Sequence, residues 1–414
     1  MKGAVVVIDG AADEPCKELG GKTPLENAKT KNLDEIASKG EIAHSFVIKK
    51  GVAPESSASV VSLFGYDPDK IPRGFLEALG LNAKIEKGDL VFRCNFGTID
   101  NLESRNVIDR RVGRALSTEE AVILADAINS KIGLLNGHEF KFIPGIQHRG
   151  VLIIKGDFNA KISNIDPAYT KEGATGIAGG KFDFAKPIDK REDSKIAADL
   201  VNEFARESFK ILSAHNLNKE RIRKGLLPAN FIFCRGAGKI SKVKKLDGRW
   251  MALGYMPLEI GIAKAFGMKT YEFAYPKLSG TDVYSNLYEG LRMAIEEAKK
   301  MLETNKKKID YFYIHFKEVD VPGHDGKANE KVRMIEMIDN EFFSFLKNFI
   351  GDAKLIVLPD HTTSCRKKAH ASNPVPVLIY PSKIESEKRF TEKEGLKGKR
   401  IVWNKIVRGF FKLK

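Results

Sequence analysis

The chain has 414 residues, 43% apolar, 9% aromatic and 30% charged, and its 69 basic against 54 acidic side chains give a net charge of +15. It is too long for one ordinary core and too apolar for disorder, so one large domain with an insertion, or two domains, is expected. No apolar run approaches the ~18–20 residues that cross a bilayer, and the first residues do not read as a signal peptide; membrane-spanning and exported classes drop out, and a cytoplasmic protein is expected.

A strand is predicted at 4–8, a β-branched run that stops at Asp9-Gly10, and short helices start at Thr23-Pro24 and Asn32. Pro54 then ends an extended loop, and Ser56 opens a helix through Val60, Val61, Leu63 and Phe64 that stops at Gly65-Tyr66-Asp67-Pro68. A serine at a helix N-terminus sits among free N–H groups and a positive dipole, which suit a phosphoryl group. The same pattern is that of an ordinary N-cap serine, so this segment alone marks Ser56 only as a candidate.

From about Gly80 to Leu227 the pattern changes to polar strands, many Gly and Lys, loop-like stretches such as 170–187, and a helix at 194–215. Arg93 follows a strand, Arg110 and Arg111 lie at a turn, His148-Arg149 precedes a strand at 151–154, and Arg235 follows one at 231–233. Guanidinium forks grip carboxylate and phosphate bidentately, so a small anion carrying both is a natural ligand, although each arginine alone is a common ion-pair partner.

The pattern then alternates again: a helix at 286–304, a strand at 310–316, a helix at 329–350, and strands at 354–358 and 376–380. Apolar strands separated by helices indicate a parallel α/β sheet buried on both faces. The expected fold class is therefore α/β, with residues 1–79 and 228–414 forming one domain and 80–227 a smaller α/β insertion. The tail, 386–414, carries ten Lys/Arg against three Glu with Trp403, Phe410 and Phe411, which reads as a segment docked by its aromatics with solvated lysines. Four cysteines, Cys16, Cys94, Cys234 and Cys365, show no CxxC spacing and fit buried thiols in a reducing compartment.

Three of the eight histidines keep carboxylate company at strand ends: Asp320 with His324 after 310–316, and Asp360-His361 after 354–358, with His370 nine residues on. Asp9 holds the same position after the first strand. In open α/β sheets ligands bind beyond the carboxyl ends of strands, so these residues are the inventory of a two-metal site. Mixed Asp/His sets suit Mn²⁺ or Zn²⁺. Any one histidine alone reads as a satisfied loop residue; the joint occurrence carries the signal. His315 reads as a core residue, His44 as an edge residue, and His138 and His215 as surface residues.

With these pieces the chain resembles the archaeal-type cofactor-independent (2,3-bisphosphoglycerate-independent) phosphoglycerate mutases of the alkaline phosphatase superfamily, over nearly its whole length. The matching segments include Val6-Val7-Ile8-Asp9-Gly10, Gly21-Lys22-Thr23-Pro24, Pro54 to Pro68, Phe92-Arg93-Cys94-Asn95, Asp109-Arg110-Arg111-Val112-Gly113-Arg114, His148-Arg149-Gly150 and Arg235-Gly236-Ala237-Gly238. Asp320 to Gly326 and Asp360-His361-Thr362-Thr363 with His370 complete them.

The resemblance implies an alkaline-phosphatase-like, mostly parallel sheet flanked by helices, with the insertion as a lid. It implies an isomerase that interconverts 2- and 3-phosphoglycerate through a phosphoserine at Ser56. Two divalent ions are implied, Mn²⁺ first, with Mg²⁺, Co²⁺ or Zn²⁺ as alternatives. One would take Asp320, His324 and His370, the other Asp9, Ser56, Asp360 and His361. Arg93, Arg110, Arg111, His148, Arg149, Arg235 and, loosely, Lys277 would hold the anionic substrate; neither nucleic acid nor membrane is an expected partner.

The chain departs from the family pattern in four places. Pro54-Glu55-Ser56-Ser57 stands for Pro-Gly-Ser-Asp, which makes Ser57 a second candidate nucleophile, and Asp166-Pro167-Ala168 stands for Asp-Pro-His. Thr363-Ser364 replaces the usual Ser/Thr-Pro, and 279–286 deviates. A metal-dependent phosphohydrolase or phosphotransferase acting on another small phosphorylated metabolite is the alternative function.

Overall fold

Gly3–Ile8 is buried along its whole length, and the alternation of its side chains shows what covers it. Val6 and Ile8 pack on one face with Phe312, Ile314 and the helix Val283–Asn305; Val5 and Val7 pack on the other with Tyr313, Val60, Leu63 and Ile262. Both faces are thus covered by helices, which is why the strand reads as an unbroken apolar run. The computed structural model describes residues 1–167, 169–170, 173–174, 180–277, 283–382 and 388–413, with side chains outside 168–179.

Seven strands form this sheet, in the order Lys269–Glu272, Trp250–Gly254, Tyr311–Phe316, Gly3–Ile8, Lys354–Leu358, Val375–Tyr380, Glu41–Ser45. The first five run parallel, as expected; Val375–Tyr380 runs antiparallel to Lys354–Leu358, and Glu41–Ser45 antiparallel to Val375–Tyr380.

A second, antiparallel sheet is centred on Leu90–Ile99, flanked by Arg149–Ile154 and Phe231–Gly238. Phe92, Cys94 and Phe96 face a core made with the helices Thr118–Lys131 and Glu192–Ala214. Arg93 and Asn95 alternate to the opposite face. Phe231–Gly238 belongs to this second sheet, whereas the sequence reading placed everything after 227 with the first. Its apolar Phe-Ile-Phe start is indistinguishable by pattern from a strand of the parallel sheet, and only its pairing with Leu90–Ile99 tells them apart.

The basic tail docks by its aromatics. Trp403 and Phe411 are 3% and 5% exposed. The Trp403 Nε1–H donates to the Ser59 carbonyl at 2.9 Å, and Arg408 Nε donates to the Phe64 carbonyl at 2.9 Å. Ser59 and Phe64 belong to the helix Ser56–Leu63 and its C-cap, so the tail ties down the helix that starts at Ser56.

Candidate active site

Register brings the site together. Ile8 pairs with Phe316 and Val7 with Leu358, so three strands end level and their exits carry Asp9, Asp320 and Asp360 to one edge. Asp320 opens a short helix, Asp320–Asp325, on which His324 lies one turn later. His370 arrives on a two-stranded ribbon, opposite Thr363. Gly10, at φ +57°, lets the chain turn here: a Cβ would lie 2.5 Å from both Asp320 Oδ1 and Thr363 Oγ1.

Two groups of ligating atoms result, Asp9–Asp360–His361 and Asp320–His361–His370, each with its atoms within 4.8 Å of one another. His324 Nε2 lies 3.2 Å from His370 Nε2 and 3.3 Å from Asp320 Oδ2. His361 Nε2 lies 3.2 Å from Asp9 Oδ1 and 3.4 Å from Asp360 Oδ2, yet those two buried oxygens accept no hydrogen bond.

The second contacts of each imidazole fix its orientation. Thr363 Oγ1 donates to Asp320 Oδ1 at 2.6 Å and so accepts from His361 Nδ1 at 3.0 Å. His370 Nδ1 donates to the Pro54 carbonyl at 2.7 Å. Both rings therefore aim Nε2 into the site, the tautomer a metal ligand needs. Bare carboxylate oxygens beside oriented imidazoles fit divalent cations, with a mixed N/O donor set.

The charges agree. Burial opposes ionisation of Asp9, but the Lys317 ammonium, His315 and His361 hold its carboxyl well below the usual range. Burial and the neighbouring Asp9 push Asp360 up to about 6. Burial disfavours a charged His361, yet Asp360 and Asp9 raise it to about 9, whereas burial and His361 keep His370 well below its ordinary value. The pocket concentrates negative charge, and a proton stands where a cation would.

Ser56 is the first residue of its helix, and its Oγ lies 3.0 Å from His361 Nε2. It lines a cavity of about 190 Å³ with Asp9, Asp320, His324 and His370. Ser57, about 100° further round the helix, is 6% exposed and is absent from the lining.

The opposite wall is the second sheet. Arg93 faces Arg235 across one strand pair, and Asn95 faces Arg149 across the other. Arg93, Arg110, Arg111, His148, Arg149 and Arg235 all line the cavity. Burial lowers the Arg93 guanidinium to about 9 and, with Arg149 and Arg111, holds His148 well below its ordinary value. Three carboxylates interleave with this wall. Arg110 grips Asp166 bidentately at 2.7 and 2.7 Å; Glu77 Oε1 takes Arg73 at 3.1 Å and Arg93 at 3.0 Å; Glu55 Oε2 takes Arg235 at 2.7 Å.

Lys277 does not come to the cavity: its side chain is 88% exposed and its ammonium pairs with Glu119 at 3.2 Å. The lysine beside Asp9 is Lys317, which also holds Glu259 at 3.2 Å. Its position directly after the strand Tyr311–Phe316 was the available signal. His315, read as a core residue, is fully buried but stands 3.3 Å from Asp9 Oδ2. Arg73 and Glu77, on the helix Arg73–Gly80, also line the cavity and carried no sequence signal, because single charged residues on a helix carry no pattern; Glu55 and Arg114 line it as well. Ala168 and residues 279–282 lie outside the described residues.

The sequence model described as 2,3-bisphosphoglycerate-independent phosphoglycerate mutase matches residues 37–218. The enzyme so named from Methanosphaera stadtmanae is 36% identical over 409 residues, covering 96% of this chain and 94% of that one. The one from Pyrococcus abyssi is 35% identical over 408 residues, covering 96% and 93%. Among solved structures, the PH0037 protein of Pyrococcus horikoshii superposes with a TM-score of 0.73 at 27% identity, covering 99% of this chain and 97% of that one. The cofactor-independent phosphoglycerate mutase of Thermoplasma acidophilum gives 0.55 at 26%, covering 100% and 99%. With its level strand ends, its paired ligand groups and these relatives, the chain belongs to the 2,3-bisphosphoglycerate-independent phosphoglycerate mutase family.

Proposed function

We propose that this protein interconverts 2- and 3-phosphoglycerate, with Ser56 as the transient phosphoryl carrier. The observation that carries the reading is the Ser56 hydroxyl, 3.0 Å from His361 where the two ligand groups meet, opposite an arginine wall. Asp320, His324 and His370 would hold one divalent ion, and Asp9, Asp360, His361 and Ser56 a second; a mixed Asp/His set suits Mn²⁺ or Zn²⁺, and the family resemblance favours Mn²⁺. When bound, such ions supply Lewis acidity to the phosphoryl oxygens and make a serine hydroxyl more acidic.

The remaining work falls to the chain itself. Ser56 Oγ bonds to phosphorus as the bond to one glycerate hydroxyl breaks, and the proton lost by Ser56 ends on that departing oxygen. The free N–H groups of the first helical turn, together with Lys317, face the phosphoryl charge. Arg149, Arg111 and their neighbours hold the glycerate carboxylate while glycerate turns and its other hydroxyl takes the phosphoryl group back. The second sheet acts as a lid over this exchange and keeps water from the phosphoserine; water would make the protein a phosphatase.

No described helix is long and apolar enough to cross a membrane. The test is phosphorus NMR of 3-phosphoglycerate with Mn²⁺ and no 2,3-bisphosphoglycerate. The 2-phosphoglycerate signal should grow without inorganic phosphate. Growth of inorganic phosphate alone would show a phosphohydrolase.

A further inference from the structure

The three carboxylates on the arginine wall differ in one respect. Asp166 and Glu77 have side chains only 0% and 4% exposed and are fixed struts, whereas Glu55, which lines the cavity as Glu77 does, is 24% exposed. Glu55 is the N-cap residue of the Ser56 helix, yet its side chain makes no capping bond. It reaches across to the second sheet instead, where Oε2 accepts from Arg235 Nη1 at 2.7 Å, and it lies 3.5 Å from Nη1 of Arg73, which opens the helix Arg73–Gly80. Two guanidinium groups converging on one carboxylate oxygen form a carboxylate site, and its occupant belongs to the protein. That occupant also stands beside the helix N-terminus at which a phosphoryl group would arrive, so the two negative charges oppose one another.

We propose that Glu55 is a built-in competitor that fills the carboxylate subsite of Arg235 and Arg73, and that a phosphorylated acid binds by displacing it with its own carboxylate. The inference rests on the phosphoglycerate reading for the substrate's chemistry but not on turnover. It adds a specificity device: a phosphate ester with no carboxylate has nothing to exchange for Glu55 and leaves the latch closed.

Calorimetry on the Mn²⁺-loaded Ser56→Ala protein, with and without Glu55→Gln, tests this using 3-phosphoglycerate and glycerol 3-phosphate as probes. If the competitor holds the subsite roughly nine-tenths of the time, the Kd for 3-phosphoglycerate falls about tenfold in the Glu55→Gln variant. The Kd for glycerol 3-phosphate should fall much less. Equal gains for both probes would show general charge relief and overturn the proposal. Weaker 3-phosphoglycerate binding would show that Glu55 positions the arginines, and would overturn it as well. Glu55→Ala guards against the glutamine amide holding the same geometry. Absence of mutase turnover in the unmodified enzyme would sink the functional reading while leaving this binding comparison intact.

Discussion

Removing divalent cations should leave a folded but measurably weaker protein, and the structure sets the size of the effect. Without a cation, Asp9 Oδ1 and Asp360 Oδ2 are buried beside the Nε2 of His361, which carries a proton because these carboxylates raise it to about 9. Each cation that binds only the folded state adds about 2.7 kcal/mol when supplied at a hundredfold excess over its Kd. Two ligand groups therefore add about 5 kcal/mol. For a chain of this size the midpoint of thermal unfolding should rise by roughly 5–10 °C. Binding also requires a neutral imidazole, so at pH 7 about one proton should leave His361 as the cation arrives.

The assay is differential scanning calorimetry of chelated protein titrated with Mn²⁺, with proton release read by titration calorimetry in buffers of different ionisation enthalpy. Asp360→Asn and His370→Ala should each remove about half of the shift. A shift below about 1 °C, or one that survives both substitutions together, would refute the assignment of the two groups as cation sites.

Trp403→Ala should destabilise the protein by about 4–6 kcal/mol in urea unfolding, about 3–5 for the lost indole and about 1 for its lost hydrogen bond to the Ser59 carbonyl; a loss under about 1 kcal/mol would mean that the tail is not docked. Glu392 accepts from the Asp13 N–H at 3.0 Å and the Thr23 hydroxyl at 2.6 Å, yet burial raises it from its ordinary value of 4.5 to about 7. The folded state thus keeps a proton that the unfolded chain releases, so this contribution is full below pH 4.5 and is lost as pH rises through 7. The metal-free protein should lose up to about 3 kcal/mol from this group between pH 4.5 and 8, and Glu392→Gln should flatten the profile. Glu318, also raised to about 7 by burial, gives a parallel slope that the Glu392 variant retains, so an unchanged total slope would count against Glu392.

The parallel sheet was legible because its strands are buried on both faces and must be continuously apolar, and because Asp9, Asp360 and Asp320 sit one to four residues past strand ends. The wall of the lid was legible only as a set of arginines. Which carboxylate each arginine meets depends on pairings between strands far apart in the chain, such as Arg93 opposite Arg235. Lys277 and Lys317 show the same limit: both are lysines near a strand end, and only the level register of Tyr311–Phe316 with Gly3–Ile8 puts Lys317 against Asp9. Ser56 and Ser57 were equal candidates by type, and the turn of the helix separates them.

The central claim is that Ser56 carries the phosphoryl group. It is tested most directly by quenching the enzyme during turnover of phosphorus-32-labelled 3-phosphoglycerate and mapping the labelled peptide, with Ser56→Ala and Ser57→Ala alongside. The account predicts label on Ser56, chased into 2-phosphoglycerate, kept in Ser57→Ala and lost in Ser56→Ala. Label on Ser57, or phosphoenzyme persisting in Ser56→Ala, would contradict it.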